Sequence, residues 1–252
     1  MKHLLQSWPD VTQRIRQAEA VALFLDFDGT LAPFVPQPCA ARLPGPTRRA
    51  LQRLALLPGL RIWIISARRA GDLRSRIAVP QLQYLGLYGW ENGDAPRFEA
   101  AETRGLAEAR DRITYGIRHM PGIWIEDKDA TFALHWRGAP QACFLQAAHV
   151  LETVMAQFDR VLRVMVGDHV WEVAPASLLG KGVAARLHWR ARHDRALPIY
   201  LGDNEADEAA FAALASGITV RIGRVCPTRA HFQLRDTAEV RIFLERLEKE
   251  LR

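Results

Sequence analysis

The chain has 252 residues, of which 49% are hydrophobic and 25% are charged, and these values are ordinary for a soluble globular protein. The formal net charge of +6 would suit an anionic partner, either a nucleic acid or a small anionic substrate. Because the basic residues are scattered and form no run of five or six, we expect no nucleic-acid partner.

Apolar and amphipathic segments alternate in the first part of the chain, which is typical of a parallel α/β sheet. An amphipathic helix before Glu19 leads into an apolar strand that begins at Val21 and ends at Asp26. We predict next a helix and then two further strands, over Thr47–Leu57, Leu60–Ile65 and Leu82–Leu87.

The pattern changes between about Phe98 and Ala174 and becomes two repeats of a helix followed by a β-hairpin. The predicted elements are Glu102–Met120, Ile123–Lys128 paired with Thr131–Trp136, Gln141–Arg160, and a second hairpin that turns at Gly167 and Asp168. Such a unit is α+β with an antiparallel sheet. We therefore expect residues 98–174 to form an inserted domain, and residues 1–97 and 175–252 to form the α/β core.

The core pattern resumes after the insert. The predicted elements are a helix over Lys181–Arg192, a strand over Leu197–Leu201, a helix over Glu205–Leu214 and a strand over Ile218–Ile222. Asp236 and Glu239 resemble a capping box, which predicts the start of a final amphipathic helix.

Two aspartates, Asp26 and Asp28, follow the first core strand directly. Parallel sheets bind ligands beyond the carboxyl ends of their strands, so both side chains are expected at the mouth of a site. Neighbouring carboxylates repel each other unless a cation or a proton relieves them. This pair favours a Mg²⁺-dependent site in which one carboxylate attacks and the other moves a proton. The alternative is a strand end with two solvated aspartates.

Other core strands also end in polar residues that suit phosphate and a metal ion. Ser66 follows the second strand, and Asp203, Asn204 and Asp207 follow the fourth. Lys181 lies in a GKG segment at a predicted helix start, where the helix dipole adds positive potential. Each segment alone is weak, since a serine after a strand or a GKG turn is common, but their joint order is informative.

These segments resemble the four motifs of the haloacid dehalogenase superfamily, namely DFDGTL, ISAR, GKG and GDNEAD. The resemblance implies that Asp26 is the nucleophile and that Asp28 is the general acid and base. It also implies that Mg²⁺ is held by the Asp26 carboxylate, the Asp28 carbonyl oxygen and Asp203. By the same resemblance, Ser66 and Lys181 hold the phosphoryl group, and Asp207 belongs to the metal site, where it orients waters or Lys181.

An insert between the second and third motifs resembles the C2-type cap of this superfamily. Its segment IEDKDATFALHWR, with EVAP before the GKG, resembles the caps of trehalose-6-phosphate phosphatases. The resemblance implies that Glu126, Lys128 and Glu172 hold sugar hydroxyls, with Arg137 as a weaker candidate. We expect His135 to be a structural hydrogen-bonding residue rather than a catalytic base, because Asp28 already fills that role. The alternative is a surface salt-bridge set, which would contribute little.

The chain departs from that family at four positions. Ala67 replaces a glycine, Tyr88 a histidine, Ala174 an arginine and Trp136 a tyrosine. The expected activity is Mg²⁺-dependent hydrolysis of trehalose 6-phosphate, a phosphoric monoester. Sucrose phosphate, glucosylglycerate phosphate and mannosylglycerate phosphate stay as alternative substrates. A basic, non-catalytic binding protein that kept the fold is the alternative from another class.

Compartment and assembly follow from simple sequence features. Cys39, Cys143 and Cys226 are far apart and form no CxxC, which favours a reducing compartment. We find no signal peptide and no apolar run near the roughly 20 residues of a membrane helix, so we expect a cytoplasmic protein without a membrane partner. We expect a monomer, with a dimer as the alternative, and hinge motion of the insert near Ala95–Arg97 and Ala174–Leu179.

Overall fold

The computed structural model describes residues 1–35, 38–91, 98–167, 169–178, 180–193, 195–224 and 227–252. The predicted hinge segment Ala95–Arg97, the turn residue Asp168, the hinge residue Leu179 and Cys226 lie outside these ranges. Among the described residues, none of the helices has both the length and the apolar character that crossing a membrane requires.

The chain divides into two compact units, one of Met1–Asp94 with Leu179–Arg252 and one of Ala95–Leu178. The first unit begins with seven elements: β1 (Lys2–His3), α1 (Trp8–Gln17), β2 (Val21–Leu25), α2 (Gly45–Leu54), β3 (Leu60–Ile65), α3 (Ala70–Ile77) and β4 (Gln83–Leu85). Helix α2 starts earlier than predicted because a proline occupies its first turn, where the missing N–H costs nothing.

The second unit is the α+β segment. It contains α4 (Ala100–Ile117), β5 (Trp124–Asp127), β6 (Phe132–His135), α5 (Gln141–Met155), β7 (Leu162–Gly167) and β8 (Val170–Pro175). Its strands form one antiparallel sheet in the order β5-β6-β8-β7. The apolar residues of one sheet face, such as Phe132, Leu134 and Val173, are buried with residues of α4 and α5 such as Ile113 and Leu151.

The first unit then continues with α6 (Lys181–His193), β9 (Leu197–Gly202), α7 (Glu208–Ala213), β10 (Ile218–Ile222), β11 (Phe232–Leu234) and α8 (Thr237–Leu251). Its seven strands form a parallel sheet in the order β1-β11-β10-β9-β2-β3-β4. Strand β2 lies between β3 and β9, so the ends of these three strands are neighbours at one edge. Two apolar clusters contain alternate residues of β2, Leu23 in one and Phe24 in the other, as expected for a sheet covered on both faces. The predicted fold class, a parallel α/β core with an inserted antiparallel α+β unit, is confirmed.

Several predicted boundaries are wrong. Helix α4 ends at Ile117 rather than Met120, and Pro121 follows, which disfavours helical backbone before it. Helix α5 ends at Met155 rather than Arg160, and Phe158 then packs against the unit's core from the following turn. Gly167 is the last residue of a strand rather than a turn residue.

The segment predicted as one helix over Glu205–Leu214 is a 3₁₀ turn over Glu205–Asp207 followed by α7. Asn204 caps that turn by accepting from the N–H of Ala206 at 2.9 Å. The predicted hinge segment Ala174–Leu179 starts inside a strand, since β8 extends to Pro175. The hinge motion itself stays a prediction.

The predicted capping box at the start of α8 is half correct. Asp236 caps the helix by accepting from the N–H groups of Ala238 and Glu239. The Glu239 carboxylate accepts instead from the N–H of Arg235 at 2.8 Å and pairs with His3 on β1. Strands β1 and β11 were not predicted, because segments of two and three residues carry too little periodicity to be recognised.

Candidate active site

Three of the predicted site residues lie at one edge of the parallel sheet, where three neighbouring strands end. Asp26 follows β2, Ser66 follows β3, and Asp203 follows β9. The N–H of Asp26 donates to the carbonyl of Leu201 on β9 at 3.0 Å, which extends the parallel pairing to the site itself. Asp26 and Ser66 are each only 2% exposed, so the alternative of a solvated strand end is wrong for Asp26.

Lys181, the first residue of α6, joins two of the predicted acids. Its Nζ lies 2.9 Å from Oδ1 of Asp26 and 2.8 Å from Oδ1 of Asp207. Lys181 is 2% exposed and Asp207 is fully buried. A buried ammonium ion is tolerated only when it is paired and hydrogen-bonded, and this one has two carboxylate partners. Asp207 therefore contacts Lys181, and its predicted role toward Lys181 or toward a metal ion stays a prediction.

Asp207 accepts hydrogen bonds on both carboxylate oxygens. The Tyr200 hydroxyl donates to Oδ1 at 2.7 Å, and the backbone N–H groups of Asp203 and Asn204 donate to Oδ2 at 3.1 and 3.0 Å. Asp207 therefore fixes the loop that carries Asp203. Sequence reasoning missed Tyr200, although a tyrosine inside a fully apolar strand signals a hydroxyl that needs a buried partner.

The acids of this cluster have raised pKa values. Burial raises the pKa of Asp26 well above its usual range, although the nearby charge of Lys181 opposes this. Burial and the charge of Asp207 raise the pKa of Asp203 to about 6. Burial by itself would lower the pKa of Lys181, but Asp207 and Asp26 outweigh it and raise that pKa. The lysine is therefore charged, while the carboxylates need further positive charge to stay ionised together.

The donor set at this edge fits a divalent cation. Carboxylate oxygens of Asp26, Asp203 and Asp207 all lie within 4.8 Å of one another. Among the described residues, none donates a hydrogen bond to Oδ2 of Asp26, although this oxygen is buried. A buried acceptor without a donor is costly. Hard oxygen ligands of this kind suit Mg²⁺.

The carboxylate of Asp28 points to a different partner. Arg68 donates to it through Nε at 2.6 Å and through Nη2 at 2.8 Å. The same guanidinium donates to Asp72 at 2.9 Å and to the carbonyl of Pro38 at 2.7 Å. The Asp28 side chain keeps 34% of its surface exposed. Arg68 was not predicted as a site residue, although it belongs to the ISAR segment. The predicted use of the Asp28 carbonyl oxygen by a metal stays a prediction.

Glycines allow the close approach of these acidic loops. Gly29 has φ +78°, and a Cβ there would fall 2.0 Å from Oδ2 of Asp203. A Cβ at Gly202 would fall 2.3 Å from Cγ of Asp207. Ser66 completes this edge, and its Oγ accepts from the N–H of Arg68 at 3.2 Å. The predicted role of Ser66 toward a phosphoryl group stays a prediction.

The predicted sugar-binding residues lie on the sheet of the second unit. Lys128 follows the end of β5 and donates to Oε2 of Glu172 on β8 at 2.7 Å. The hydroxyl of Thr131, which was not predicted, donates to Oε1 of the same glutamate at 2.5 Å. Glu172 is 3% exposed, so this ion pair is buried and the alternative of a surface salt bridge is wrong for it.

Glu126 has a different partner from Lys128. Nε2 of His135 lies 3.0 Å from Oε2 of Glu126, in agreement with a hydrogen-bonding role for the histidine. Arg137 lies beyond the end of β6, in the turn before α5, and is half-buried. The structure therefore brings Lys128 and Glu172 together, and it places Glu126 with His135. Whether these residues bind sugar stays a prediction.

Comparison with known proteins finds trehalose-phosphate phosphatases among the relatives of this chain. A trehalose-phosphate phosphatase of Mycobacterium avium is 33% identical over 182 residues, which are 68% of this chain and 44% of that protein. The chain thus spans less than half the length of the curated relatives it matches.

Solved structures show the fold. The C-terminal domain of a trehalose-6-phosphate phosphatase of C. albicans has a TM-score of 0.82 at 22% identity, and 96% of each chain is covered. A haloacid dehalogenase-like hydrolase of Bacteroides thetaiotaomicron has a TM-score of 0.66 at 14% identity, covering 91% of this chain and 100% of that one.

A family model described as trehalose-phosphatase matches residues 24–237. This range includes Asp26, Asp28, Ser66, Lys181 and Asp203, as well as the whole second unit. The predicted family is confirmed: the chain belongs to the trehalose-phosphatase family.

Proposed function

We propose that this protein hydrolyses trehalose 6-phosphate to trehalose and inorganic phosphate, with Mg²⁺ as cofactor and Asp26 as nucleophile. Family membership supports the substrate class. The observation that carries the proposal is the state of Asp26: it is buried, Lys181 holds one of its oxygens, and no described residue donates to the other. A carboxylate held in this way keeps an oxygen that no described donor occupies, which suits a group that both binds a cation and acts as nucleophile.

In the first step, an oxygen of Asp26 forms a bond to phosphorus while the bond between phosphorus and the sugar oxygen breaks. Asp28, two residues away, gives its proton to the departing sugar oxygen. Lys181 stays near the attacking carboxylate and offsets negative charge on the phosphoryl oxygens. The product of this step is a phosphate ester of Asp26, with the sugar released.

In the second step, a water molecule attacks the phosphorus, and Asp28 takes its proton. The bond between Asp26 and phosphorus breaks, which restores the carboxylate and frees inorganic phosphate. The two-bond contact with Arg68 uses both oxygens of Asp28 as acceptors, so it suits the ionised form that exists between the two steps. Before the first step Asp28 carries the proton that it donates, and it must give up part of this contact.

Asp26, Asp203 and the backbone carbonyl of Asp28 would hold Mg²⁺. When bound, the ion would supply positive charge against the negative charge of the phosphoryl group and of the clustered carboxylates. Asp207 would keep Asp203 in position through its two backbone hydrogen bonds.

The second unit would act as the cap that recognises the sugar. Lys128, Glu172 and Glu126 offer charged hydrogen-bonding groups on one sheet. Sugar hydroxyls both donate and accept, so they suit a site that contains an ammonium group beside carboxylates. The second unit would therefore determine which sugar phosphate the protein binds.

The departures at Tyr88 and Ala174 favour one alternative within the same chemistry, a different sugar phosphate. Ala174 is fully buried, and its methyl side chain has neither the charge nor the length of the arginine expected by resemblance. Sucrose phosphate, glucosylglycerate phosphate and mannosylglycerate phosphate are the candidates to compare.

The test is the release of inorganic phosphate from these four substrates, with Mg²⁺ and with EDTA, by the parent protein and by Asp26→Asn. We expect trehalose 6-phosphate to be the best substrate, and both EDTA and the substitution to abolish release. Faster hydrolysis of another sugar phosphate would correct the substrate. Undiminished release by Asp26→Asn would contradict the mechanism.

A further inference from the structure

An exposed tryptophan lies on the same sheet as the proposed sugar-binding residues. Trp124 is the first residue of β5, the edge strand, and 45% of its surface is exposed. Its ring stacks on His135 of β6, with centroids 4.0 Å apart and planes inclined by 13°. A single exposed apolar side chain is ordinary by itself, so what matters here is which groups surround this ring and how it is held.

The strand register places Trp124 on the polar face of this sheet. Trp124 is paired with His135, while Glu126 is paired with Ala133, and Ala133 with Glu172. Directly paired residues and residues two apart share a face. The intervening residues, including Ile125 and Leu134, pack into the apolar core of the unit. Trp124 is therefore outside that core and on the same sheet face as Glu126 and Glu172.

The ring of Trp124 is also held in place. His135 stacks on it and forms the 3.0 Å hydrogen bond to Glu126 at the same time. The aromatic surface and the Glu126 carboxylate are thus parts of one connected group. A rigid aromatic ring next to a few fixed polar groups is the usual composition of a site for a small organic ligand.

Sugars match such a group because a pyranose ring has two kinds of surface. Its hydroxyls form hydrogen bonds along the rim, while its C–H groups form an apolar face. Carboxylates such as that of Glu126 can accept hydrogen bonds from the hydroxyls, and an indole ring can pack against the C–H face. The arrangement suits a ligand with a sugar ring and gives no advantage to a bare phosphate.

We propose that Trp124 is a specificity-determining residue whose indole, supported by His135, packs against the C–H face of a sugar ring of the substrate. This inference rests on the proposed function, since it assigns a further contact to the sugar phosphate. It extends the predicted set of Glu126, Lys128 and Glu172 from polar contacts to an apolar one. This contact favours substrates that contain a sugar ring, and it does not take part in the phosphoryl chemistry.

The experiment compares Trp124→Ala, Trp124→Leu and Trp124→Phe with the parent. Tyr115→Ala is the matched control, because Tyr115 is a 68% exposed aromatic residue on α4 of the same unit. For each protein, KM and kcat are measured with trehalose 6-phosphate, and Ki is measured for inorganic phosphate as inhibitor. Thermal unfolding of each variant reports whether the fold is kept.

We expect Trp124→Ala and Trp124→Leu to raise KM about tenfold, with kcat and the Ki of phosphate within about twofold of the parent. Trp124→Phe keeps a flat ring, so its KM should lie between that of the parent and that of the alanine and leucine variants. Trp124→Leu keeps apolar bulk in case the alanine variant is unstable. Tyr115→Ala should match the parent. Titration calorimetry of trehalose 6-phosphate into Asp26→Asn and Asp26→Asn/Trp124→Leu should show the same loss of affinity without turnover.

The outcomes separate this inference from the proposed function. Equal KM values for the Trp124 and Tyr115 variants would overturn the inference while leaving the phosphatase intact. A parallel loss of phosphate affinity would overturn it too, because the effect would not concern the sugar. If the parent prefers another sugar phosphate, the comparison is made with that substrate. If the parent neither binds nor hydrolyses any sugar phosphate, both proposals are wrong.

Discussion

Gly29 lies directly against Asp203, so that a Cβ on the glycine would fall 2.0 Å from Oδ2 of the aspartate. The glycine also has φ +78°, a conformation that residues with a side chain rarely adopt. The carboxylate of Asp203, in the loop after β9, therefore packs directly on the backbone of the turn after β2. This contact holds Asp203 near Asp26, and a substitution can test it.

Gly29→Ala should reduce phosphate release by about a hundredfold or more, because the new methyl group displaces Asp203 and misplaced groups are costly in catalysis. Steady-state kinetics with the best sugar phosphate measures the loss. Gly71→Ala is the matched control, since Gly71 lies in α3 and a Cβ there would meet no atom within 4 Å. The control should keep full activity and gain stability, and an equally active Gly29→Ala would contradict the argument.

Tyr200→Phe should lower kcat about tenfold and reduce the free energy of unfolding by about 1 kcal/mol. In the parent, the Tyr200 hydroxyl and Lys181 both donate to Oδ1 of Asp207. The substitution removes the 2.7 Å hydrogen bond from Tyr200 and leaves the one from Lys181. We expect the lysine to lose part of its alignment with Asp26. Kinetics and urea unfolding of the same protein sample give both numbers.

Tyr84→Phe separates the catalytic effect from the stability effect. Tyr84 is also buried, and its hydroxyl donates to the carbonyl of Val79 at 2.8 Å, outside the acidic cluster. The variant should lose similar stability while kcat stays within twofold. If both tyrosine variants lost kcat alike, Tyr200 would have only a structural role.

The positions of Asp26, Ser66 and Asp203 could be predicted from the sequence because each follows a strong apolar strand. In a parallel sheet such strand ends share an edge, and here their strands are neighbours, as β9-β2-β3. Lys181 could be placed by its GKG segment and by resemblance. These predictions used local patterns together with one general rule of sheet geometry.

The partners of these residues could not be predicted in the same way. Arg68 and Tyr200 contact Asp28 and Asp207 through side-chain directions that only the packed structure determines. Glu239 was predicted to complete a capping box, yet its carboxylate contacts Arg235 and His3. His3 is near because β1 pairs with β11, which lies near the other end of the sequence. Contacts across such sequence separations leave no periodic signal.

Mg²⁺ should raise the unfolding temperature of the parent without any substrate. The acids Asp26 and Asp203 are buried together and have raised pKa values, so a bound cation relieves a cost that exists only in the folded state. Asp203→Asn should unfold at a higher temperature than the parent in EDTA, because one of the crowded carboxylates is gone. In Asp203→Asn, Mg²⁺ should raise the unfolding temperature much less than it does in the parent. Differential scanning calorimetry measures both effects.

The control for this experiment is Glu205→Gln, which changes the formal charge equally at an exposed position two residues away. Its response to Mg²⁺ should equal that of the parent. A Mg²⁺ response that survived in Asp203→Asn would place the cation elsewhere.

Glu102 should make the stability of the protein depend on pH in the acid range. It is buried, and it accepts from the N–H and the hydroxyl of Ser177, both at 2.9 Å, and from the N–H of Glu99 at 3.1 Å. Burial alone would raise its pKa, but these hydrogen bonds outweigh burial and lower the pKa below its ordinary value. A lowered pKa means that the folded state binds the proton less readily than the unfolded state does.

The stabilising contribution of Glu102 is therefore fully present above the unfolded-state pKa of about 4.3, and it is lost as the pH falls through the lower pKa of the folded state. Glu102→Gln should lower the free energy of unfolding by about 1 kcal/mol at neutral pH, and by much less once the pH has fallen below the lowered pKa of the folded state, where the parent is also uncharged at this position. Urea unfolding across this range measures the difference. Glu108→Gln, at an exposed position of the same helix, should show no such pH dependence, and an equal slope in both variants would refute the assignment to Glu102.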